Sequence, residues 1–334
     1  MRAKRMHKAP PKKMSDKKFF LGIDTSNYTT SVALCDTDGN IVLNLKKLLP
    51  VKAGERGLRQ SDALFAHTKN LPEIMQSLNA FLDKEEIGRD ILAVGCSSTP
   101  RDAEGSYMPC FLSGVSVAES ASALLGCERY FFSHQSGHIM AALYSSGMTE
   151  LISKGEKFIA FHVSGGTTEI LLVSPTSDTF SVELIGGTAD MNAGQAIDRT
   201  GVLMGLSFPC GKEMESLCVD VPYHKSRVSV KGLNCNLSGL ENLAAKKFAE
   251  SADKATTSAF CFDYIADTLM ALSENIREAY GNLPIVFSGG VMSNKRIAAR
   301  LAALGNVYFS EPEFSADNAA GIALLTKRKF ENLH

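Results

Sequence analysis

A strand–turn–strand pattern that occurs twice is the feature that most constrains the fold of this chain. One copy spans residues 19–36, FFLGIDTSNYTTSVALCD, and the other spans residues 157–173, KFIAFHVSGGTTEILLV. In each copy, two apolar β-prone runs flank a short polar turn, which is typical of a hairpin. Two such hairpins, each opening one half of a chain of 334 residues, predict an internal duplication. We therefore expect two similar α/β lobes that face each other across a nucleotide.

The turn of the second hairpin, Ser164-Gly165-Gly166-Thr167-Thr168, has residue types that suit a phosphate or a carboxylate. Glycines let the backbone approach an anion, freed N–H groups can point at it, and Ser and Thr side chains add donors. A Gly-Gly turn is also the usual way to close a hairpin, so this pattern alone leaves both interpretations open.

The composition is that of an ordinary globular protein, with 45% apolar residues, 21% charged residues and a net charge of −1. No apolar run approaches the ~20 residues that a membrane helix needs, so we expect no membrane association. The eight cysteines are scattered singly, without C-x-x-C or another metal-binding spacing. They are therefore expected to be reduced, mostly buried thiols of a cytoplasmic protein.

Residues 1–18 differ from the rest of the chain, because they contain eight Lys or Arg residues and one Asp. We predict a disordered basic tail there. It is either a solvated extension or an arm that adds affinity for a polyanion such as RNA.

A candidate metal site begins at the segment SHQSGHIMAA, residues 133–142, which is predicted to be a helix that follows a strand. His134 and His138 are four residues apart, so both imidazoles lie on one helix face, as two metal ligands require. Gln135 stands where a zinc peptidase of the H-E-x-x-H type has Glu, so a peptidase is not supported. The spacing is also common by chance, and a third ligand has to come from elsewhere in the chain.

Three further carboxylates have both a structural and a functional interpretation. Asp190 is either a helix cap or a ligand contact, and Asp198 either faces solvent or binds the hydroxyls of a ribose. Asp317, before the last predicted helix, is either an N-cap or the missing third metal ligand. A strand followed by a Gly-Gly turn and a helix start, residues 284–295, offers a further place for a nucleotide.

Taken together in their order, these motifs resemble the TsaD family, also called Gcp or YgjD, over residues 20–327. The segments that carry the resemblance are GIDTS at 22–26, HQSGH at 134–138, VSGGTT at 163–168, DMNAGQAIDR at 190–199, PCG at 209–211, SGGVMSN at 288–294 and SADNAA at 315–320. The corresponding family patterns are G-I-E-T-S, H-x-E-G-H, V-S-G-G-H-T, D-D-A-A-G-E-A-F-D-K, P-G-G, A-G-G-V-x-x-N and C-T-D-N-x-A.

The resemblance implies an α/β, two-lobed fold of the actin, sugar kinase and Hsp70 (ASKHA) type, with duplicated ribonuclease H-like lobes. It implies a disordered tail over 1–18, an N-terminal lobe over 19–133 completed by the C-terminal helix 317–328, and a C-terminal lobe over 134–334 that carries the nucleotide and metal site.

The implied activity is transfer of a threonylcarbamoyl group from threonylcarbamoyl-AMP to N6 of the adenosine beside the anticodon of tRNA. One divalent ion, Fe or Zn, would be held by His134, His138 and Asp317. The adenylate would be held by Val163, Ser164, Gly165, Gly166, Thr167, Asp198, Gly211 and Asn294, and no catalytic residue is assigned. The implied partners are tRNA, a TsaB-like paralogous subunit and a TsaE-like ATPase.

Several residues depart from the family patterns. Asp24 replaces a Glu, Thr167 replaces a His, Gln195 replaces a Glu and Cys210 replaces a Gly. Residues 99–107, TPRDAEGSY, replace a glycine-rich loop with a charged one. Metal and nucleotide binding are therefore better supported than the identity of the acyl acceptor. The alternatives are a divergent paralogue with another carbamoyl transfer or nucleotide-dependent reaction, and a non-catalytic partner subunit.

Overall fold

The structure, a computed structural model, describes residues 18–50 and 58–334. The predicted basic tail falls outside the described residues, apart from Lys18. The strands are β1 (Phe19–Thr25), β2 (Thr29–Asp36), β3 (Ile41–Leu48), β4 (Ile91–Thr99), β5 (Glu128–Ser133), β6 (Phe158–Val163), β7 (Thr168–Pro175), β8 (Phe180–Thr188), β9 (Val230–Lys231), β10 (Asn234–Cys235), β11 (Ile285–Ser288) and β12 (Val307–Phe309). The helices are α1 (Gln60–Lys84), α2 (Phe111–Leu125), α3 (His134–Ser145), α4 (Glu150–Lys154), α5 (Ala193–Leu203), α6 (Gly211–Leu217), α7 (Ser238–Ser251), α8 (Lys254–Tyr280), α9 (Lys295–Ala302), α10 (Pro312–Ser315) and α11 (Ala320–Leu333), with a 3₁₀ turn at Gly290–Ser293.

The first of two compact units comprises the described residues up to Gly137 together with Asp317–His334. Its five-stranded sheet has the order β3-β2-β1-β4-β5. The β1–β2 and β2–β3 pairs are antiparallel, whereas β4 pairs in parallel with both β1 and β5. Every residue of β1 and β2 is buried, as expected of central strands that are covered on both faces.

The second unit, His138–Ala316, repeats this topology. Its seven-stranded sheet has the order β12-β11-β6-β7-β8-β10-β9. Here β6, β7 and β8 form the antiparallel part, and β11 pairs in parallel with β6 and β12. The segment β6 to β8 therefore corresponds to β1 to β3, and β11 and β12 correspond to β4 and β5. The predicted duplication of the α/β fold is confirmed by this shared strand order.

Helix α8 begins at Lys254 because Asp253 caps it, accepting a hydrogen bond of 2.9 Å from the N–H group of Ala255. Its apolar face belongs to the core of the second unit. In that core Phe161 of β6 stacks on Phe287 of β11, with ring centroids 4.7 Å apart.

The last helix, α11, returns to the first sheet and packs on β1, β2 and β4. The contact is close at Gly22, where a Cβ atom would lie 2.5 Å from the backbone nitrogen of Ala323. Only glycine allows a helix backbone to approach a strand this closely. Gly22 therefore fixes the position of α11 and of the residues that immediately precede it, including Asp317.

The eight cysteines are free thiols, and all except Cys127 are buried. Among the residues that the structure describes, no helix is both long and apolar enough to span a bilayer.

Candidate metal and nucleotide site

The helix that carries the two candidate histidines, α3, begins immediately after β5, so that His134 is its first residue. His138 follows one turn later on the same face. The compact units divide inside this helix, between Gly137 and His138. Each of His134, His138 and Asp317 offers one ligand atom, and these three atoms lie within 4.8 Å of one another. The residues predicted as metal ligands are thus brought together.

Asp317 does not cap the last helix. The N–H group of Ala320 donates instead to Oδ1 of Asn318, at 3.0 Å. The Oδ1 atom of Asp317 lies 3.6 Å from Nε2 of His134, and its Oδ2 accepts a hydrogen bond of 2.8 Å from the hydroxyl of Ser26. These contacts place Asp317 beside His134, as its interpretation as a metal ligand requires.

Behind His134 lies a buried carboxylate, that of Asp24. Its Oδ1 atom accepts a hydrogen bond of 2.8 Å from Nδ1 of His134, and its Oδ2 atom has no hydrogen-bond partner among the described residues. Burial alone lowers the pKa of His134. The carboxylates of Asp24 and Asp317 outweigh burial and raise that pKa above its ordinary value. The site is therefore electronegative and attracts a cation, either a proton or a metal ion.

The charged loop after β4, residues 99–107, is hydrogen-bonded to the start of α3. The Oδ2 atom of Asp102 accepts hydrogen bonds from the hydroxyls of Ser133 and Ser136, at 2.8 and 2.6 Å. The carbonyl of Pro100 accepts from the N–H group of Gln135, at 3.0 Å. An acidic side chain at a helix N-terminus is favourable, because it compensates the partial positive charge there. The substitutions in this loop thus include a residue that holds the first turn of α3.

The turn of the second hairpin differs from the expected anion cradle in one respect. The N–H groups of Gly166 and Thr167 donate to the hydroxyl of their own Ser164, at 3.3 and 3.1 Å. These two donors therefore stabilise the turn itself instead of pointing outward. By contrast, a Cβ atom built on Gly165 or Gly166 meets no atom of residues 18–50 or 58–334 within 4 Å, so the surface of the turn is open toward the described part of the chain.

Helix α5 begins directly against this turn. A Cβ atom on Gly194 would lie 2.6 Å from Cα of Gly165 and 2.8 Å from the carbonyl oxygen of Ser164. The side chain of Gln195 accepts a hydrogen bond from the N–H group of Asn192, which closes a capping box at the start of α5. Gln195 thus has a structural role at a position where the family pattern has Glu.

The remaining predicted adenylate residues also lie in the second unit. Asp198 is half-buried, and its Oδ1 accepts a hydrogen bond of 2.9 Å from the N–H group of Cys210, next to Gly211. Burial raises the pKa of Asp198, and this hydrogen bond offsets the rise only in part. Asn294 is buried and caps α9, accepting a hydrogen bond of 3.0 Å from the N–H group of Ile297.

Asp190 binds the start of α7, a structural role that the sequence did not indicate. It does not cap α5, whose N-cap is Asn192; instead, it accepts hydrogen bonds from the N–H groups of Leu237 and Ser238 at the start of α7, at 2.8 and 3.2 Å. Burial opposes the ionisation of Asp190. Hydrogen bonds from the Ser238 hydroxyl, the N–H groups of Leu237 and Met191 and the Asn236 side chain outweigh burial and hold the pKa of the carboxyl well below its ordinary value.

Comparison with known proteins decides the relationship that these motifs suggest. Residues 51–324 match the family described as TsaD, tRNA N6-adenosine threonylcarbamoyltransferase. This chain belongs to the TsaD family. Membership supports a transferase function of the tRNA threonylcarbamoyl type in general, and a metal ion is a feature of the family.

Solved structures with the same fold are much more distant in sequence. HypF from T. kodakarensis is 13% identical with a TM-score of 0.57, over 94% of this chain and 48% of that one. Full-length HypF in its phosphate- and nucleotide-bound form is 15% identical with a TM-score of 0.55, over 97% of this chain and 56% of that one. Component A of (R)-2-hydroxyglutaryl-CoA dehydratase from Acidaminococcus fermentans is 16% identical with a TM-score of 0.51, over 95% and 99%. These likenesses confirm the predicted ASKHA fold.

The donor set of this TsaD-family chain suits a divalent transition metal. Two imidazoles and one carboxylate are ligands that both Zn²⁺ and Fe²⁺ accept in proteins, with positions left for a substrate. Asp24 adds a buried negative charge beside His134, which a bound cation would balance. The residues present therefore fit the ion that the family implies.

Sequence reasoning missed the residues that surround this donor set. Asp24 was noted only as a departure from the TsaD pattern, and neither Ser26 nor His67 was singled out. His162, on β6, also went unnoticed, although its ring centroid lies 4.9 Å from that of His138. The sequence places the polar residues Asp24 and Ser26 at the end of an apolar strand. That they are almost completely buried depends on the tertiary packing, which one sequence does not record.

Proposed function

We propose that this protein transfers the threonylcarbamoyl group of threonylcarbamoyl-AMP to N6 of the adenosine beside the anticodon, in tRNAs that read codons starting with A. The observation that carries the proposal is the TsaD family match over residues 51–324. The close grouping of His134, His138 and Asp317 supports it further, because a scaffold subunit has no physical need for three converging ligand atoms.

In the proposed active site, His134, His138 and Asp317 hold one divalent ion, Fe or Zn. When bound, such an ion supplies Lewis-acid polarisation of the carbamoyl carbonyl and stabilises negative charge that develops on its oxygen. The carboxylates of Asp317 and of the buried Asp24, which contacts His134, would balance the positive charge of the ion.

The AMP part of the substrate is assigned to the second unit. Val163, Ser164, Gly165, Gly166 and Thr167 form an open turn against which a phosphate or ribose can pack closely. Gly211 and Asn294, at the starts of α6 and α9, complete the proposed adenylate contacts, and Asp198 is assigned to the ribose hydroxyls.

In the proposed reaction, N6 of adenosine forms a bond to the carbamoyl carbon, and the bond from that carbon to the phosphate oxygen breaks. AMP leaves with the electron pair of the broken bond, and the proton that N6 loses passes to solvent water. Because the mixed anhydride is already activated, holding the two substrates in position supplies much of the rate enhancement.

We further propose the partners and the location that the TsaD resemblance implies. These are tRNA as acceptor, a TsaB-like paralogous subunit, a TsaE-like ATPase, and the cytoplasm without membrane attachment.

The direct test is an acyl-transfer assay with the full chain, threonylcarbamoyl-AMP, unmodified tRNA and the two partner proteins, followed by mass spectrometry of the digested nucleosides. We expect threonylcarbamoyladenosine from the wild type and none from Asp317→Ala. If the wild type yields no product although metal and adenylate are bound, the tRNA reaction is wrong.

A divergent paralogue with another metal-assisted carbamoyl transfer, or another nucleotide-dependent reaction, is the second candidate. The observation in its favour is the loop of residues 99–107, which has exchanged glycines for charged residues and is fastened to α3 through Asp102. Hydrolysis or transfer of threonylcarbamoyl-AMP to a small amine, without tRNA, would favour this candidate. A protein that binds neither metal nor adenylate would instead be a non-catalytic subunit.

A further inference from the structure

The end of the first hairpin contacts two of the three candidate metal ligands, at atoms other than the presumed donors. Asp24, at the end of β1, is fully buried, and Ser26, just beyond β1, is 3% exposed. Asp24 contacts His134 and Ser26 contacts Asp317, each at 2.8 Å. All four residues belong to the first unit.

The first contact selects the donor atom of His134. An ionised carboxylate only accepts hydrogen bonds, so Nδ1 of His134 carries the proton that it shares with Asp24. An imidazole that binds a metal ion is neutral, and with Nδ1 protonated its Nε2 holds the lone pair. That Nε2 is the atom that lies 3.6 Å from Oδ1 of Asp317. Asp24 therefore fixes both the tautomer and the ring orientation that ligation requires.

The second contact selects the donor oxygen of Asp317. The hydroxyl of Ser26 donates to Oδ2, so Oδ1 is the oxygen that is turned toward the imidazole of His134. A hydroxyl held on Oδ2 favours ligation through Oδ1 alone over ligation through both oxygens. The carboxylate is thus oriented by a hydrogen bond from the chain itself.

Ser26 is in turn held in place by a buried histidine of α1. Nε2 of His67 lies 2.8 Å from the carbonyl oxygen of Ser26, and because a carbonyl only accepts, Nε2 is the donor. Nδ1 of His67 consequently accepts from the hydroxyl of Thr30, at 2.8 Å, and Asn70 donates to that hydroxyl at 3.2 Å. In this series of hydrogen bonds every donor has one acceptor, and the donors follow one direction, from Asn70 through Thr30 and His67 to the carbonyl of Ser26.

We propose that Asp24 and Ser26 are positioning residues for the divalent metal ion, which fix Nε2 of His134 and Oδ1 of Asp317 as its donor atoms. The proposal rests on the metal site proposed above. Residues that hydrogen-bond to metal ligands commonly change metal affinity by about 10- to 100-fold when they are removed. The effect comes from orientation, and for Asp24 also from its negative charge.

The test uses the full chain after metal removal with a chelator, reloaded with Zn²⁺ for affinity measurement by competition and with Co²⁺ as a spectroscopic probe of ligand geometry. The variants are Ser26→Ala and Asp24→Asn, with Ser26→Thr as a rescue that keeps the hydroxyl. Ser97→Ala is the matched control, because Ser97 is fully buried in the same unit and its hydroxyl has no partner in the described part of the chain. Thermal melting of each apo variant identifies any that fail to fold.

We expect Zn²⁺ binding about 10- to 100-fold weaker in Ser26→Ala and Asp24→Asn, with altered Co²⁺ absorption bands, and near wild-type values in Ser26→Thr and Ser97→Ala. Wild-type affinity and spectra in folded Ser26→Ala and Asp24→Asn would overturn the positioning proposal while leaving the metal site intact. An equal loss in Ser97→Ala would also overturn it, because the effect would then be general to the core. A wild-type protein that binds neither ion would overturn the metal site itself.

Discussion

The turns of the two hairpins occupy equivalent places in one repeated topology, yet their surroundings differ. The start of the first turn is sealed, since Asp24 and Ser26 are buried and hydrogen-bonded to other elements of their own unit, although Tyr28 at its far end is exposed. The second turn is open, since Gly165 and Gly166 are exposed and a Cβ atom added at either would meet none of the described residues within 4 Å. A duplicated hairpin can therefore serve two tasks. A sealed turn orients protein ligands, and an open turn leaves room for a substrate.

Loss of a metal ligand should have the largest effect. His138→Ala should reduce metal content and transfer activity to background while leaving the melting temperature near that of the wild type, because one partly exposed imidazole contributes little to packing. Elemental analysis measures the metal content, the nucleoside assay measures the transfer activity, and thermal melting measures the stability. Gln135→Ala, in the same turn of α3, is the control and should keep its metal. Activity retained in a metal-free His138→Ala protein would rule out a metal-assisted mechanism.

The contact that shapes the open turn should have the next largest effect. Gly194→Ala places a methyl group against the backbone of Gly165, so α5 or the turn has to move. We expect a loss of about 1–3 kcal/mol in the free energy of unfolding, as overpacking usually costs. Urea unfolding measures it. A Gly194→Ala protein as stable as the wild type would mean that the turn is not held by α5.

A methyl group on the open side of the same turn should separate binding from stability. The methyl group of Gly166→Ala would meet no atom of the described residues within 4 Å, so stability should stay within about 0.5 kcal/mol of wild type. If the adenylate packs on this surface, its affinity should fall about tenfold, equivalent to about 1.4 kcal/mol. Calorimetric titration with AMP measures the affinity, and Ser177→Ala, in the turn at the other end of β7, is the control. Unchanged affinity in Gly166→Ala would place the adenylate elsewhere.

The fold could be predicted from sequence further than the site could. The hairpins, the alternation of strands and helices and the extent of α5 and α8 all follow local patterns of apolar residues, which one sequence records. The i, i+4 spacing of His134 and His138 is likewise local. The pairing of Asp317 with Ser26 joins residues 291 positions apart, and it depends on how closely α11 approaches Gly22. Local periodicity cannot report such a long-range contact, so the sequence leaves both interpretations of Asp317 open.

The sealed turn should also carry a small pH dependence through His67. Burial, the dominant cause, lowers the pKa of His67, and the Ser26 carbonyl and the Asp24 carboxylate oppose this only in part. The folded protein thus binds a proton at His67 less readily than the unfolded chain, in which the pKa is about 6.5. The stabilisation is therefore complete above about pH 6.5 and is lost as the pH falls toward the lower pKa of the folded state, with a slope of at most about 1.4 kcal/mol per pH unit.

Urea unfolding at pH 7.5, 6.5 and 5.5 should show this loss in the wild type and not in His67→Gln, whereas His224→Gln, at an exposed position, should follow the wild type. Parallel curves for the wild type and His67→Gln would mean that the first turn tolerates a charge, and the contrast between a sealed and an open hairpin would then be weaker than the burial of Ser26 indicates.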